Sequence, residues 1–143
     1  MEKENYFTFS PEETETLGRQ LMSRLEYPEF IALYGDLGVG KTAFVKGLIS
    51  SVLPDAVVTS PTYNIVNKYT FGNKNIFHFD MYRITDDDDL YSVGFYDYLD
   101  DGIVISEWSE NIPDAIPERY IKVTIEKLDH ESDKRKITME FFK

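Results

Sequence analysis

Phe30-Ile31-Ala32-Leu33-Tyr34-Gly35-Asp36-Leu37-Gly38-Val39-Gly40-Lys41-Thr42 is the stretch that decides the fold. From Gly35 it reads G-x-x-x-x-G-K-T, the spacing of a phosphate-binding P-loop. Glycines let the backbone wrap closely round an anion, so that successive N–H groups point at phosphate oxygens. Lys41 is expected to reach the β- and γ-phosphates, and the Thr42 hydroxyl to ligate Mg²⁺. The flanks agree. Phe30 to Tyr34 is a short apolar run suited to a buried parallel strand. Phe44, Val45, Leu48, Ile49 and Val52 fall on one face of a helix that must end before Pro54. Strand, glycine loop and helix aim a helix N-terminus at phosphate.

Outside this stretch, composition sets limits. The chain has 143 residues, 42% hydrophobic and 15% aromatic, which predicts one domain over residues 1–143 with a sizeable core. No apolar run approaches the length of a membrane span and Met1-Glu2-Lys3-Glu4 is not a secretory leader, so a cytoplasmic protein without membrane association is expected. The absence of cysteine excludes disulfides and thiolate metal sites. A formal net charge of -11 argues against direct, non-specific nucleic-acid binding, which needs Lys and Arg to displace counterions. It does not argue against ATP, because loop dipoles and Lys41 act at contact range, where a screened global charge counts for little.

Tyr6 to Phe9 reads as a short strand. Ser10-Pro11-Glu12-Glu13 then opens a helix with an N-cap, a first-turn proline and a capping box, and Leu17, Leu21 and Leu25 give it one apolar stripe. Ser10 or Thr14 approaching a nucleotide is one reading of that start; capping and packing explain it equally well. Pro61 biases Ser60 away from helix, making Thr59 to Tyr63 an extended connection. It lies where P-loop switch proteins keep a γ-phosphate-sensing threonine, with Thr62 the candidate and Thr59 the alternative. Ile65–Phe71 and Ile76–Ile84 flank Gly72-Asn73-Lys74-Asn75 as a hairpin. On its second strand Phe77, Phe79 and Met81 share one face and His78, Asp80 and Tyr82 the other.

Asp80 on so apolar a strand suggests metal ligation or orientation of a metal-bound water, with pairing to Arg83 or to a backbone N–H as the alternative. His78 reads as structural, or as a support for a neighbouring ligand, rather than as a catalytic base. Asp86 to Asp89 read as a solvated helix start. Ile103-Val104-Ile105 followed by Ser106-Glu107-Trp108 is a buried strand with an acid at its carboxyl end, where ligands bind in α/β sheets. Trp108 is a contact candidate for the nucleotide pocket or for a partner. Ile121–Ile125 and Ile137–Phe141 alternate as a closing hairpin, with a small basic patch from Lys134 to Lys136 that reads as solvent-facing, with one member reaching the adenine or phosphate side of the pocket as the alternative.

The P-loop, Ser60-Pro61-Thr62-Tyr63, His78-Phe79-Asp80-Met81-Tyr82-Arg83 and Glu107-Trp108, in this order and in so short a chain, resemble the TsaE (YjeE) family. The resemblance runs from the Ser10 helix to the final hairpin. It implies a Mg²⁺-dependent ATPase needed for N6-threonylcarbamoyladenosine formation on tRNA, which resets a TsaB–TsaD heterodimer between turnovers and is slow without it. It implies that the loop from Gly35, with Gly38, Val39, Gly40, Lys41, Thr42 and Ala43, holds the phosphates, and that Thr42 binds Mg²⁺. Asp80 and Glu107 become the metal or water-positioning acids, Thr62 a switch residue and Thr14 a nucleotide contact. The expected fold class is α/β, a P-loop NTPase with a central mixed β-sheet flanked by helices. A small-molecule kinase would want an arginine-rich lid, whereas the five arginines are scattered. A GTPase would want Asn-Lys-x-Asp, which neither Asn67-Lys68 nor Asn73-Lys74 completes. An ATP-gated assembly factor without catalysis is the third alternative.

Overall fold

The strand that carries the P-loop, β2 (Glu29–Tyr34), is buried on both faces, with Ile31, Ala32 and Leu33 fully enclosed. The computed structural model describes residues 2–36, 38–61, 65–129 and 132–143. The other elements are β1 (Glu2–Thr8), α1 (Pro11–Met22), α2 (Lys41–Ser50), β3 (Val66–Phe71), β4 (Lys74–Asp80), α3 (Asp87–Ser92), α4 (Phe95–Tyr98), β5 (Ile103–Glu107), β6 (Tyr120–Lys127) and β7 (Arg135–Phe142). Among the described residues, seven strands form one sheet in the order β1-β7-β6-β2-β5-β4-β3. β6, β2, β5 and β4 run parallel; β7 and β1 at one edge and β3 at the other are antiparallel to their neighbours. The fold is the mixed α/β arrangement expected.

Strand alternation sends each side chain to one of two cores. Ile31, Leu33, Ile105, Val123, Ile137 and Met139 meet Leu17, Leu21, Phe44 and Leu48 of α1 and α2. Phe30, Ala32, Phe77, Phe79 and Val104 meet Leu90 and Phe95 of α3 and α4 on the opposite face. α1 and α2 cross at glycine: a Cβ on Gly47 would lie 1.9 Å from the Glu15 carbonyl oxygen. Only a residue without a side chain lets the two backbones approach so closely. That contact brings the start of α1 beside the P-loop.

Several boundaries differ from the sequence reading, among them β1, which runs from Glu2 to Thr8 rather than from Tyr6 to Phe9. α1 ends at Met22, and Leu25 reaches the same core from the turn that follows, where Arg24 and Leu25 donate to the carbonyls of Leu21 and Met22. The β3–β4 turn is the pair Gly72-Asn73, because Lys74 already pairs with Phe71. β4 stops at Asp80 rather than continuing to Ile84. The Asp80 carboxylate accepts from the Tyr82 N–H at 3.0 Å, an Asx-turn that bends the chain out of the sheet.

Candidate functional site

The ends of the three longer helices are treated differently. Ser10 caps α1, accepting from the Glu13 N–H at 3.1 Å while Glu13 accepts from the Phe9 N–H. Asp86 caps α3 in the same way, with acidic residues filling its first turn. α2 has Gly40 at its N-cap, no side-chain cap and no acid in its first turn. Its leading N–H groups and the positive end of its dipole are therefore left for an outside anion. Gly40 makes the turn into the helix at φ 106°, a conformation that L side chains rarely adopt.

Two cations brace the loop from within. The buried Lys41 ammonium donates to the Gly35 carbonyl at 2.8 Å and lies 5.0 Å from the centre of the Trp108 ring. Arg135, at the start of β7, donates from Nε to the Val39 carbonyl at 2.7 Å and from Nη1 to the carbonyls of Ser132 and Lys134. Both bonds pair carbonyls of the loop with cationic donors.

Opposite α2, the parallel register places Asp80 of β4 directly beside Glu107 of β5. Both are buried. Adjacent carboxylates on neighbouring strands repel, and burial strengthens the repulsion. Each is partly compensated: Asp80 by the Tyr82 N–H, and Glu107 by His78, whose Nε2 lies 2.6 Å from Oε2. Trp108 follows at φ 58°, in the left-handed region, which turns the chain sharply out of β5 into a 3-10 turn (Ser109–Asn111). Its ring packs edge-on against Tyr82 at 5.2 Å, and the Asn111 amide donates to the Met81 carbonyl at 2.9 Å. These contacts tie together the two strand ends that carry the acids.

Between the loop and the acids lies an open cleft of about 640 Å³ lined by Gly38, Gly40, Lys41, Thr42, Ser60, Asp80, Tyr82, Glu107 and Trp108. Its size suits a nucleotide-sized ligand. The family model described as "Threonylcarbamoyl adenosine biosynthesis protein TsaE" matches residues 8–137. The chain belongs to the TsaE family. Among relatives called tRNA threonylcarbamoyladenosine biosynthesis protein TsaE, that of Haemophilus influenzae is 37% identical, the alignment covering 84% of this chain and 76% of that protein. The Rickettsia conorii protein is 34% identical over 85% of this chain and 70% of its own. The Bacillus subtilis protein is 30% identical over 96% and 85%. The crystal structure of Bacillus subtilis YdiB superimposes with a TM-score of 0.79 at 26% identity, covering 99% of this chain and 87% of that one.

Of the residues that the TsaE resemblance singles out, Gly38, Gly40, Lys41, Thr42, Asp80 and Glu107 meet in the cleft. Thr14, Val39 and Ala43 instead line a separate cavity of about 30 Å³ with Gly40 and Arg135. Thr14 is buried there, its hydroxyl 2.8 Å from that of Thr8. Gly35 sits at the base of the loop as the acceptor for Lys41. Thr62 lies outside the described residues. Two features were not read from sequence, the His78–Glu107 bond and Ser60 in the cleft, and the sequence did not single out Arg135 as the member of the basic patch that reaches the loop. His78 had a signal, since strand alternation already put it on the same face as Asp80. Arg135 had only its place in the basic patch.

No helix among the described residues is long and apolar enough to cross a membrane.

Proposed function

We propose that this TsaE-family chain is an ATPase acting in tRNA threonylcarbamoyladenosine formation, with TsaB–TsaD as the complex that it resets. The observation that carries the reading is the uncapped, acid-free start of α2 facing two adjacent buried carboxylates across one cleft. The α2 N–H groups and Lys41 bind the triphosphate; Asp80 and Glu107 face its γ end. Water attacks the γ-phosphorus, the bond to the β–γ bridging oxygen breaks, and ADP and phosphate leave.

The donor set suits Mg²⁺. Thr42 supplies a hydroxyl, and Asp80 and Glu107 each have one carboxylate oxygen besides the one bonded to Tyr82 or His78. A cation held there would complete its shell with waters and phosphate oxygens. When bound there, Mg²⁺ would offset charge on the phosphate oxygens and on the two acids. Lys41 moves from the Gly35 carbonyl to the phosphates, while Glu107 orients the attacking water or holds the metal. The chain's charge of -11 supports tRNA being handled by the partners.

Glu107→Ala should lower phosphate release by roughly 10²–10³-fold while ATP binding, measured by calorimetry, changes only a few-fold. TsaB–TsaD should be captured with ATP and not with ADP, and Lys41→Ala should abolish the difference. Equal phosphate release by wild type and Glu107→Ala would leave an ATP-gated assembly factor instead.

A further inference from the structure

His78 is a buried polar group that hydrolysis as described above does not use. It is 1% exposed and lies on β4 two residues before Asp80, on the face that carries both acids. Its strand-to-strand neighbour is Ile105, yet its Nε2 bonds to Glu107, one step further along β5. Glu107 therefore leans back along the sheet instead of extending from the strand end towards solvent. Among the described residues, the other ring nitrogen, Nδ1, is buried without a hydrogen-bond partner. A side chain serving only to fill the core would be better replaced by Leu or Phe, because an unpaired buried nitrogen is unfavourable.

We infer that His78 is a positioning residue for Glu107: its Nε2–H holds one carboxylate oxygen, and the other is thereby fixed towards the cleft. Of the two neutral tautomers, hydrogen-bond complementarity selects the one with its proton on Nε2. Protonation at Nδ1 alone would bury an N–H with no acceptor and set two acceptors, Nε2 and Oε2, against each other at 2.6 Å. With the proton on Nε2, the orphan is a bare lone pair and the short contact is a donor meeting an acceptor. A ligand oriented by a second hydrogen bond is the arrangement by which outer groups govern reacting ones. The kinetic consequence rests on the ATPase reading above; the hydrogen bond itself does not.

Two measurements test the inference. The full chain has two histidines, so ¹⁵N-histidine labelling resolves the His78 ring. The spectrum should show Nε2 protonated, with a strongly downfield proton that is lost in Glu107→Ala, and Nδ1 bare. In steady-state ATP hydrolysis, His78→Leu should lower kcat roughly 10–100-fold with KM for ATP within about twofold. His78→Gln, whose amide nitrogen reaches as far as Nε2, should recover most of the loss, and His78→Asn, which stops short, should not. His78→Leu in a Glu107→Ala background should cost nothing further. A protonated Nδ1, or wild-type kcat in a folded His78→Leu or His78→Asn, overturns the inference. If wild type releases no phosphate, the ATPase reading fails and the ring spectrum alone decides whether His78 holds Glu107.

Discussion

The two halves of the sheet meet water differently. β2, β5 and the second half of β4 are covered on both faces, so their sequences are near-continuous apolar runs. β6 and β7 are covered by α1 and α2 on one face only: Ile121, Val123 and Ile125 are buried, while Lys122 and Thr124 between them are partly exposed. The Lys122 ammonium sits 4.9 Å over the Tyr34 ring, with water beyond. A charge on the half-open side needs no explanation. On the doubly covered side, ionisable residues are exceptions, and His78, Asp80 and Glu107 gather at the carboxyl ends of adjacent strands. The comparison teaches that a charge becomes informative only where its strand has no solvated face.

Substitutions can break or sharpen the contrast. Phe79 is fully buried between Phe95 and Tyr98, so Phe79→Ala should lower stability by about 3–5 kcal/mol in urea unfolding, against less than ~0.5 kcal/mol for Lys122→Ala. Gly47→Ala presses a methyl group into the Glu15 carbonyl and should cost about 1–3 kcal/mol. Because α1 and α2 are the helical cover of β6 and β7, hydrogen exchange in that variant should rise there more than in β5, which α3 and α4 still cover.

Arg135→Ala removes the bond from the half-open side to the P-loop. A charge-assisted hydrogen bond of about 1.5 kcal/mol predicts roughly tenfold weaker ATP binding, read by calorimetry.

The smallest effect belongs to β1 at the open edge. The bidentate Arg24 guanidinium, and then the Tyr6 hydroxyl, hold the Glu4 carboxyl down at about 2 from 4.5. A depressed carboxyl pKa stabilises the fold fully above the unfolded value and loses that contribution as pH falls through the folded one. Arg24→Ala should therefore flatten the loss of stability between about pH 5 and 2 in acid melts. Solvent screening keeps the difference below ~1 kcal/mol.

Much of the site was legible because its signals are local. A glycine loop between an apolar run and a helix encodes an anion cradle within one stretch, from Phe30 to Thr42. Ser10 and Asp86 announce capped helix starts in the same way, and the lack of such a residue before α2 belongs to that pattern. Asp80 was legible as an oddity on an apolar strand, and Glu107 as an acid ending one. Less could be read of β4's end, since an Asx-turn and continued strand begin with the same residues.

By itself, then, the sequence determined the glycine loop between strand and helix, the helix starts and the alternation that sends each strand residue to one face, all of which depend on neighbours a few positions apart. Tertiary structure decided that β4 lies beside β5, so that Asp80 meets Glu107 and His78 reaches it, and that Gly47 lets α1 close on α2. Strand order and register arise from backbone hydrogen bonds and packing between distant segments, and no local pattern specifies those partners.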